Sequence, residues 1–208
     1  MYIIYTPEGA RAAFDEATQK FGAGTVRVQS GTHCYENFVF DEDTKALLQM
    51  SQLLDFGIDP ERGYFLSSGD TNWGAFKKLF AHGKVLPSGS CYSVGLGGHI
   101  CGGGDGILSR KYGITVDWLT GIEVVVKDDP LKPARLLYVS KESKDPEEYD
   151  LFWAHTGGGG GNFGVITKYY FKEMPEAPMA RQRQPPPHTL VTPSPPSRID
   201  PCLPPGSP

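Results

Sequence analysis

Apolar and polar residues alternate along most of this chain in short blocks that predict strands and helices. Residues 2–5 are largely apolar and predict a strand. Thr6 then offers a side chain suited to capping a helix, and Pro7 is favoured at the first helical position. Apolar residues recur at helical spacing until Gly22, which predicts the end of the helix. A strand over 25–28 completes a strand–helix–strand opening.

The middle of the chain predicts further short elements. Turn-forming residues at 59–63 predict a hairpin over 55–66. Asp70 or Thr71 is expected to cap a short helix that ends before Gly83. The remaining predictions are strands at 115–127, 135–140 and 163–171, and a helix at 145–153. Strands outnumber the helices placed among them, so the pattern predicts an α+β fold.

The last part of the chain has a different composition. Twelve of the 18 prolines lie from Pro175 onward, and no Phe, Trp or Tyr follows Phe171. Such a stretch buries too little apolar surface to offset the entropy lost on ordering. We therefore expect a folded domain over residues 1–173 and a proline-rich, disordered tail over 174–208.

Composition and charge exclude some classes of partner. The 208 residues carry a formal net charge of −4, so no overall positive field attracts nucleic acid or an anionic membrane surface. No run of about 18 apolar residues predicts a membrane span. The N-terminus lacks the basic start and apolar centre of a signal peptide, so secretion requires a native chain that begins further upstream. The four cysteines show no pairwise spacing typical of a disulfide framework.

A first segment with candidate chemistry follows the second predicted strand. It reads Gln29, Ser30, Gly31, Thr32 and His33. Small residues in such a turn expose successive backbone N–H groups, which can hold a pyrophosphate. A neutral imidazole has a free lone pair at neutral pH and can act as a nucleophile. This segment therefore predicts a loop that binds an anionic, electrophilic ligand.

A second segment, residues 87–104, places a cysteine before a series of glycines. Cys91 supplies a thiol, which is a strong nucleophile once ionised. Glycines without side chains allow the backbone to lie against a flat ligand. The glycines along this path are Gly95, Gly97, Gly98, Gly102, Gly103 and Gly104.

A third block, residues 157–167, begins with five consecutive glycines. Its stretch 159–164 satisfies the G-x-G-x-x-G pattern of dinucleotide-binding Rossmann domains. That motif needs a strand before it and a helix after it. Here a helix is predicted before the glycines and a strand after them. The block therefore does not predict a Rossmann dinucleotide site.

Taken together, the three segments resemble the FAD-binding domain of the p-cresol methylhydroxylase type, most closely that of berberine-bridge-enzyme-like oxidases. In that family a histidine bonds to the flavin 8α carbon and a cysteine to flavin C6, and the matching residues are His33 and Cys91. Gln29 stands where the family has arginine, and Thr32 where it has a second glycine. The resemblance implies cofactor contacts at Ser30, Gly31, Thr32, His33, Cys91, Val94, Gly95, Gly97, Gly98, His99, Gly102, Gly103 and, near the adenine, Val165.

The resemblance also implies an activity. It predicts an FAD-dependent oxidase, bicovalently flavinylated, that takes hydride from a small organic substrate and passes electrons to molecular oxygen. The family's substrate domain and catalytic base follow the glycine block, where this chain has its proline-rich tail. We therefore expect an FAD-binding domain incomplete at both ends and weakly active or inactive alone, with the catalytic residues unassigned.

Three other interpretations stay open at this stage. A flavin-binding module without catalysis fits the same residues. The stretch 89–92 resembles the papain nucleophile segment, although that family's histidine lies some 130 residues downstream, past the end of this chain. His33, Cys34, His99 and Cys101 are good zinc ligands by type, but their spacing matches no closed zinc site, and no metal is predicted.

Overall fold

The computed structural model describes residues 1–178, which form two sheets with helices packed around them. The strands are β1 (Tyr2–Ile3), β2 (Val26–Gln29), β3 (Ala46–Gln49), β4 (Phe56–Asp59), β5 (Gly63–Ser67), β6 (Gly121–Val126), β7 (Arg135–Ser140) and β8 (Val165–Phe171). The helices are α1 (Pro7–Phe21), α2 (Asn72–Phe80), α3 (Leu96–Cys101), α4 (Ser109–Tyr112) and α5 (Pro146–Ala154). This arrangement confirms the α+β prediction.

The first sheet is small and parallel, with strand order β1-β3-β2. Helix α1 connects β1 to β2, and the Thr6 hydroxyl accepts a hydrogen bond from the Gly9 N–H at its start. Its inward face carries Ala10, Ala13 and Ala17, whose short side chains let the helix pack closely on the sheet. The predicted strand–helix–strand opening is therefore confirmed, whereas β3 was not predicted.

The second sheet is antiparallel, with strand order β4-β5-β8-β6-β7. The predicted hairpin corresponds to β4 and β5, joined by the turn between Asp59 and Gly63. Strand β8 lies in the centre, and its Tyr169 and Phe171 are fully buried. Val125 of β6 and Val165 of β8 also pack in the cluster that contains α1, so the two sheets share one apolar layer.

One segment differs from its predicted structure, and one helix was not predicted. Thr115–Trp118 is a 3-10 turn rather than the start of a strand, because the Thr115 hydroxyl donates to the Gly104 carbonyl and Asp117 accepts from the Ile114 N–H. The glycine-rich stretch after Gly95, for which the sequence predicted no secondary structure, forms helix α3. Glycine disfavours helix by about 1 kcal/mol per residue, and the buried Leu96 and Ile100 offset that cost.

Ordered packing continues a few residues past the predicted domain end at 173. Met174 is buried, and the Ala177 N–H donates to the Gly83 carbonyl just after α2. The predicted disordered tail falls almost entirely beyond residue 178 and so lies outside the described residues. Within residues 1–178, no helix is both long and apolar enough to cross a bilayer.

Candidate functional site

The first and second candidate segments lie against each other, backbone to backbone. A Cβ added to Gly31 would lie 2.1 Å from the backbone nitrogen of Gly95 and 3.0 Å from the carbonyl oxygen of Ser93. A Cβ on Gly95 would lie 2.4 Å from the nitrogen of Gly31. Only glycine at both positions permits this approach. The sequence thus brings the His33 loop (residues 29–33) and the Cys91 loop (residues 87–95) into direct contact.

The carbonyl of Ser68, just after β5, joins the same two segments. It accepts one hydrogen bond from the Ser30 hydroxyl at 2.8 Å and another from the Gly97 N–H at 2.8 Å. Ser68 is itself fixed, because its N–H donates to the Thr167 carbonyl in β8. The His33 loop and the start of α3 are therefore attached to the central strand of the second sheet.

His33 is exposed and its ring reaches across to the Cys91 loop. Its Nε2 lies 2.9 Å from the Ser93 hydroxyl oxygen. The preceding residue, Thr32, has a φ of 60°, in the left-handed region that favours glycine. This conformation costs an ordinary L-residue about 1–2 kcal/mol. This cost explains why the family that the sequence resembles has a glycine at this position.

Cys91 has an exposed thiol on a loop whose backbone is held in place. Its carbonyl accepts from the Asn72 side-chain amide at 3.2 Å and from the Val94 N–H at 3.3 Å. The Asn72 N–H in turn donates to the Val94 carbonyl at 2.9 Å. Beside this loop lies a cleft of about 250 Å³ whose lining includes Asn72, Trp73, Phe76, Ser90, Tyr92 and Ile107.

His99 in α3 makes a structural hydrogen bond to the Cys91 loop. Its Nε2 accepts from the Gly89 N–H at 2.8 Å. Burial lowers the pKa of His99, although the charge of Asp105 acts in the opposite direction. The ring is therefore neutral and available as an acceptor at neutral pH. This bond fixes the start of the loop two residues before Cys91 and engages His99 with Gly89 rather than with the thiol.

The glycines of α3 divide into two groups. Gly98 is exposed, and no atom lies within 4 Å of the position a Cβ would take, so its surface is open to a ligand. Gly102 and Gly103 instead end the helix, since their N–H groups donate to the Gly98 and Ile100 carbonyls. Gly103 is buried with a φ of 110°. These two predicted contacts lie at the far end of α3 from the joined loops.

The third candidate segment contacts α3 through a buried cysteine. A Cβ on Gly160 would lie 2.5 Å from the Cys101 sulfur, which donates to the Gly97 carbonyl at 2.9 Å. Burial raises the pKa of the Cys101 thiol, so it stays protonated. The fully buried Tyr169 hydroxyl donates to the same carbonyl at 2.7 Å. The glycine block and β8 therefore both fix the position of Gly97.

Val165 follows the glycine block but turns its side chain into the core, where it is 2% exposed. This exposure is that of the whole residue, so Val165 presents almost no surface to a ligand. Before the glycines, the buried His155 donates from Nδ1 to the Leu151 carbonyl at 2.8 Å, and its Nε2 has no hydrogen-bond partner within residues 1–178. Burial lowers the pKa of His155 and keeps this ring neutral.

Three residues of this arrangement were not predicted from sequence. Ser93 contacts His33, Ser68 binds both loops, and Tyr169 holds Gly97. Ser93 stands between the cysteine and the glycines of its motif, which is a usable signal. Ser68 acts through its backbone carbonyl, so its residue type carries no signal. Tyr169 is indistinguishable from any core tyrosine until β8 is placed beside α3.

Comparison with known proteins identifies a family. The profile of the FAD binding domain matches residues 9–130. Hexose oxidase of Chondrus crispus is 62% identical over 179 residues, covering 86% of this chain and 33% of that protein. Aclacinomycin-N/aclacinomycin-A oxidase of Streptomyces galilaeus is 39% identical over 173 residues, covering 82% and 31%. Berberine bridge enzyme-like 21 of Arabidopsis thaliana is 35% identical over 154 residues, covering 72% and 27%.

Solved structures give the same result. A glycopeptide hexose oxidase complexed with teicoplanin superposes with a TM-score of 0.75 at 41% identity, covering 84% of this chain and 34% of that one. Aclacinomycin oxidoreductase gives 0.75 at 39% identity, covering 81% and 34%. The chain spans about a third of the length of these relatives. It belongs to the FAD-binding domain family of FAD-linked oxidoreductases, with the p-cresol methylhydroxylase-type fold and berberine-bridge-enzyme-like relatives, and its cofactor is FAD.

Proposed function

We propose that this chain holds FAD through two covalent bonds, one from His33 and one from Cys91. The observation that carries the proposal is the glycine contact between Gly31 and Gly95, which joins the two loops that bear these nucleophiles. Both side chains are exposed and so accessible to a ligand. Gly98 in α3, which follows the Cys91 loop, leaves space where a Cβ would stand.

The two nucleophiles suit the proposed attachment chemistry. His33 offers an imidazole lone pair in its neutral form, and Cys91 offers a thiolate once it ionises. In net terms, each attachment replaces one flavin C–H bond and one N–H or S–H bond by a C–N or C–S bond. The two electrons released pass to molecular oxygen, which takes up the two protons and leaves as hydrogen peroxide.

The substrate is proposed to be a sugar. The names of several relatives include a sugar, among them the hexose oxidase of Chondrus crispus and the glucooligosaccharide oxidase of Sarocladium strictum, the latter 33% identical over 155 residues. Bound FAD supplies hydride acceptance, with oxygen as the final acceptor. The described residues bind and orient this cofactor. Trp73 in α2 and Tyr92 in the Cys91 loop are both exposed and line the same cleft, so they offer rings on which a sugar can pack.

Catalysis by residues 1–208 alone is expected to be slow. His33 and Cys91 face solvent, so a cofactor attached to them is open to water on the same side. Exclusion of water and positioning of substrate supply much of an enzyme's rate enhancement. A general base must also come within about 3 Å of the substrate proton. These conditions favour cofactor capture over turnover.

The decisive test is retention of flavin after denaturation. The chain is incubated with FAD, denatured in acid and separated on a gel. The flavin fluorescence of the protein band is then compared with the absorbance of the flavin released into the supernatant, which gives the fraction that stays attached. We expect His33→Ala and Cys91→Ala each to retain flavin and the double variant to retain none. Cys34→Ser is the matched control, because this exposed thiol lies next to His33 yet is expected to be dispensable. Flavin that washes away from the unmodified chain would refute the proposal.

A second assay separates an oxidase from a flavin-binding module without catalysis. The flavin-loaded chain is mixed with hexoses and with oligosaccharides, and peroxide release is followed over time. A slow but sustained release supports the oxidase, whereas retained flavin with no peroxide from any sugar supports the module. Rapid multiple turnover would contradict the expectation of slow catalysis.

A further inference from the structure

The two proposed attachment loops share one side-chain hydrogen bond. The Nε2 atom of His33 lies 2.9 Å from the hydroxyl oxygen of Ser93, two residues after Cys91. Within residues 1–178, neither side chain makes another hydrogen bond. Ser93 is partly buried and His33 is exposed, so among the described residues this contact is the one hydrogen bond that orients the imidazole ring.

The Ser93 hydroxyl is held in place by the backbone around it. The Ser93 carbonyl lies against Gly31, so close that a Cβ there would be only 3.0 Å away. On the other side, the Val94 carbonyl accepts the Asn72 N–H at the start of α2. The hydroxyl therefore has a fixed place relative to the His33 loop. Thr32, with its φ of 60°, sets the direction in which His33 leaves that loop.

We propose that Ser93 is a positioning residue that sets the orientation and the tautomer of the His33 ring. In this way the loop that carries Cys91 also orients His33, the attachment residue of the other loop. The proposal rests on the proposed function, in which His33 is an attachment residue. It assigns Ser93 no contact with the cofactor itself.

The tautomer follows from which nitrogen must react. A ring nitrogen forms a new bond only through a free lone pair, and Nε2 is engaged with Ser93. Nδ1 is the nitrogen that remains available, which requires Nε2–H to donate to the Ser93 oxygen. When Nδ1 bonds to the flavin carbon, that carbon loses one proton and the ring loses the Nε2 proton, which passes by way of the Ser93 oxygen to solvent. The two electrons end on oxygen as peroxide, as in the net attachment reaction above.

The first test measures attachment at each site separately. In a Cys91→Ala background only His33 can attach flavin, and in a His33→Ala background only Cys91 can. We expect Ser93→Ala to slow attachment on the order of tenfold in the first background, the effect of losing one hydrogen bond, and by less than about twofold in the second. Ser93→Thr keeps the hydroxyl and is expected to restore the rate at His33.

A loss that is equal at both sites would mean a general structural role for Ser93 and would overturn the proposal. An unchanged rate at His33 would overturn it as well. A failure of Ser93→Thr to restore attachment would show that the hydroxyl is not the active feature and would also count against it.

The second test needs no flavin, so it separates this proposal from the proposed function. The ring nitrogen chemical shifts of His33 are measured by NMR in the cofactor-free chain labelled with nitrogen-15. We expect a single Nε2–H tautomer in the unmodified chain and in Ser93→Thr, and the mixed tautomers of a free imidazole in Ser93→Ala. Identical spectra in all three chains would refute the role of Ser93, even if flavin attachment is confirmed. A single Nε2–H tautomer in a chain that attaches no flavin would refute covalent attachment, but it would still support the role of Ser93 in setting the tautomer.

Discussion

Replacing Gly31 by alanine is the sharpest perturbation of the contact between the two loops. The added Cβ would lie 2.1 Å from the Gly95 nitrogen and 2.8 Å from the Gly95 Cα. Both atoms belong to the backbone, so no side chain can rotate to make room. One of the two loops must therefore move by about an ångström, which strains the hydrogen bond that holds it to the Ser68 carbonyl, from Ser30 in one loop or from Gly97 after the other.

The magnitude follows from these contacts. Overpacking in a closely packed region costs about 1–3 kcal/mol, and a clash between two backbones belongs at the upper end of that range. For a chain of this size, 1 kcal/mol shifts Tm by about 2–4 °C. We therefore expect Gly31→Ala to lower Tm by about 6–12 °C and to lower the midpoint of urea unfolding accordingly.

Gly98→Ala is the matched control for this stability measurement. Gly98, like Gly31, is a glycine predicted to contact the cofactor, but no atom lies within 4 Å of the position its Cβ would take. Alanine also favours the helix in which it lies. We expect its Tm to stay the same or rise slightly. A Gly31→Ala chain as stable as Gly98→Ala would refute the claim that glycine is required where the loops meet.

Three further predictions concern stability. Tyr169→Phe removes one hydrogen bond to the partly buried Gly97 carbonyl, which keeps its bond from the Cys101 thiol, so urea unfolding should show a loss of only about 0.5–1.5 kcal/mol. A loss above about 3 kcal/mol would contradict this. Burial lowers the pKa of His99 and of His155 below the ordinary 6.5, so the unfolded chain binds protons first. The contribution of the two neutral histidines to folding stability is complete above about pH 6.5 and is lost as pH falls through their folded-state pKa values. We therefore expect the free energy of unfolding of His155→Leu to fall less steeply than that of the unmodified chain between about pH 7 and pH 5. Thr32→Gly relieves a left-handed conformation and should raise the free energy of unfolding by up to about 1 kcal/mol, whereas a clear destabilisation would mean that the side chain is needed.

Helix starts and tight turns could be predicted from residues that are close together in the sequence. Thr6 and Pro7 mark the start of α1, and the turn residues after Asp59 form the expected hairpin. The resemblance to a flavoprotein family depended on His33 and Cys91 within small-residue loops, and family membership is confirmed. In these cases the determining residues lie close together along the chain.

Long-range contacts could not be predicted in the same way. The segment that forms α3 is rich in glycine, and its helix depends on N–H groups of Leu96 and Gly97 that donate to the Asp70 and Ser68 carbonyls. A backbone carbonyl leaves no mark on the residue type that carries it. The glycines at 102 and 103 gave the same sequence signal as Gly98, although they end the helix away from the loops.

The central claim is that one flavin joins the two loops, and a peptide measurement tests it most directly. The FAD-loaded chain is denatured, digested with a protease that cuts between His33 and Cys91, and examined by mass spectrometry. We expect one species in which the peptide with His33 and the peptide with Cys91 are linked through a single FAD. Separate peptides, each with its own flavin or with none, would contradict it.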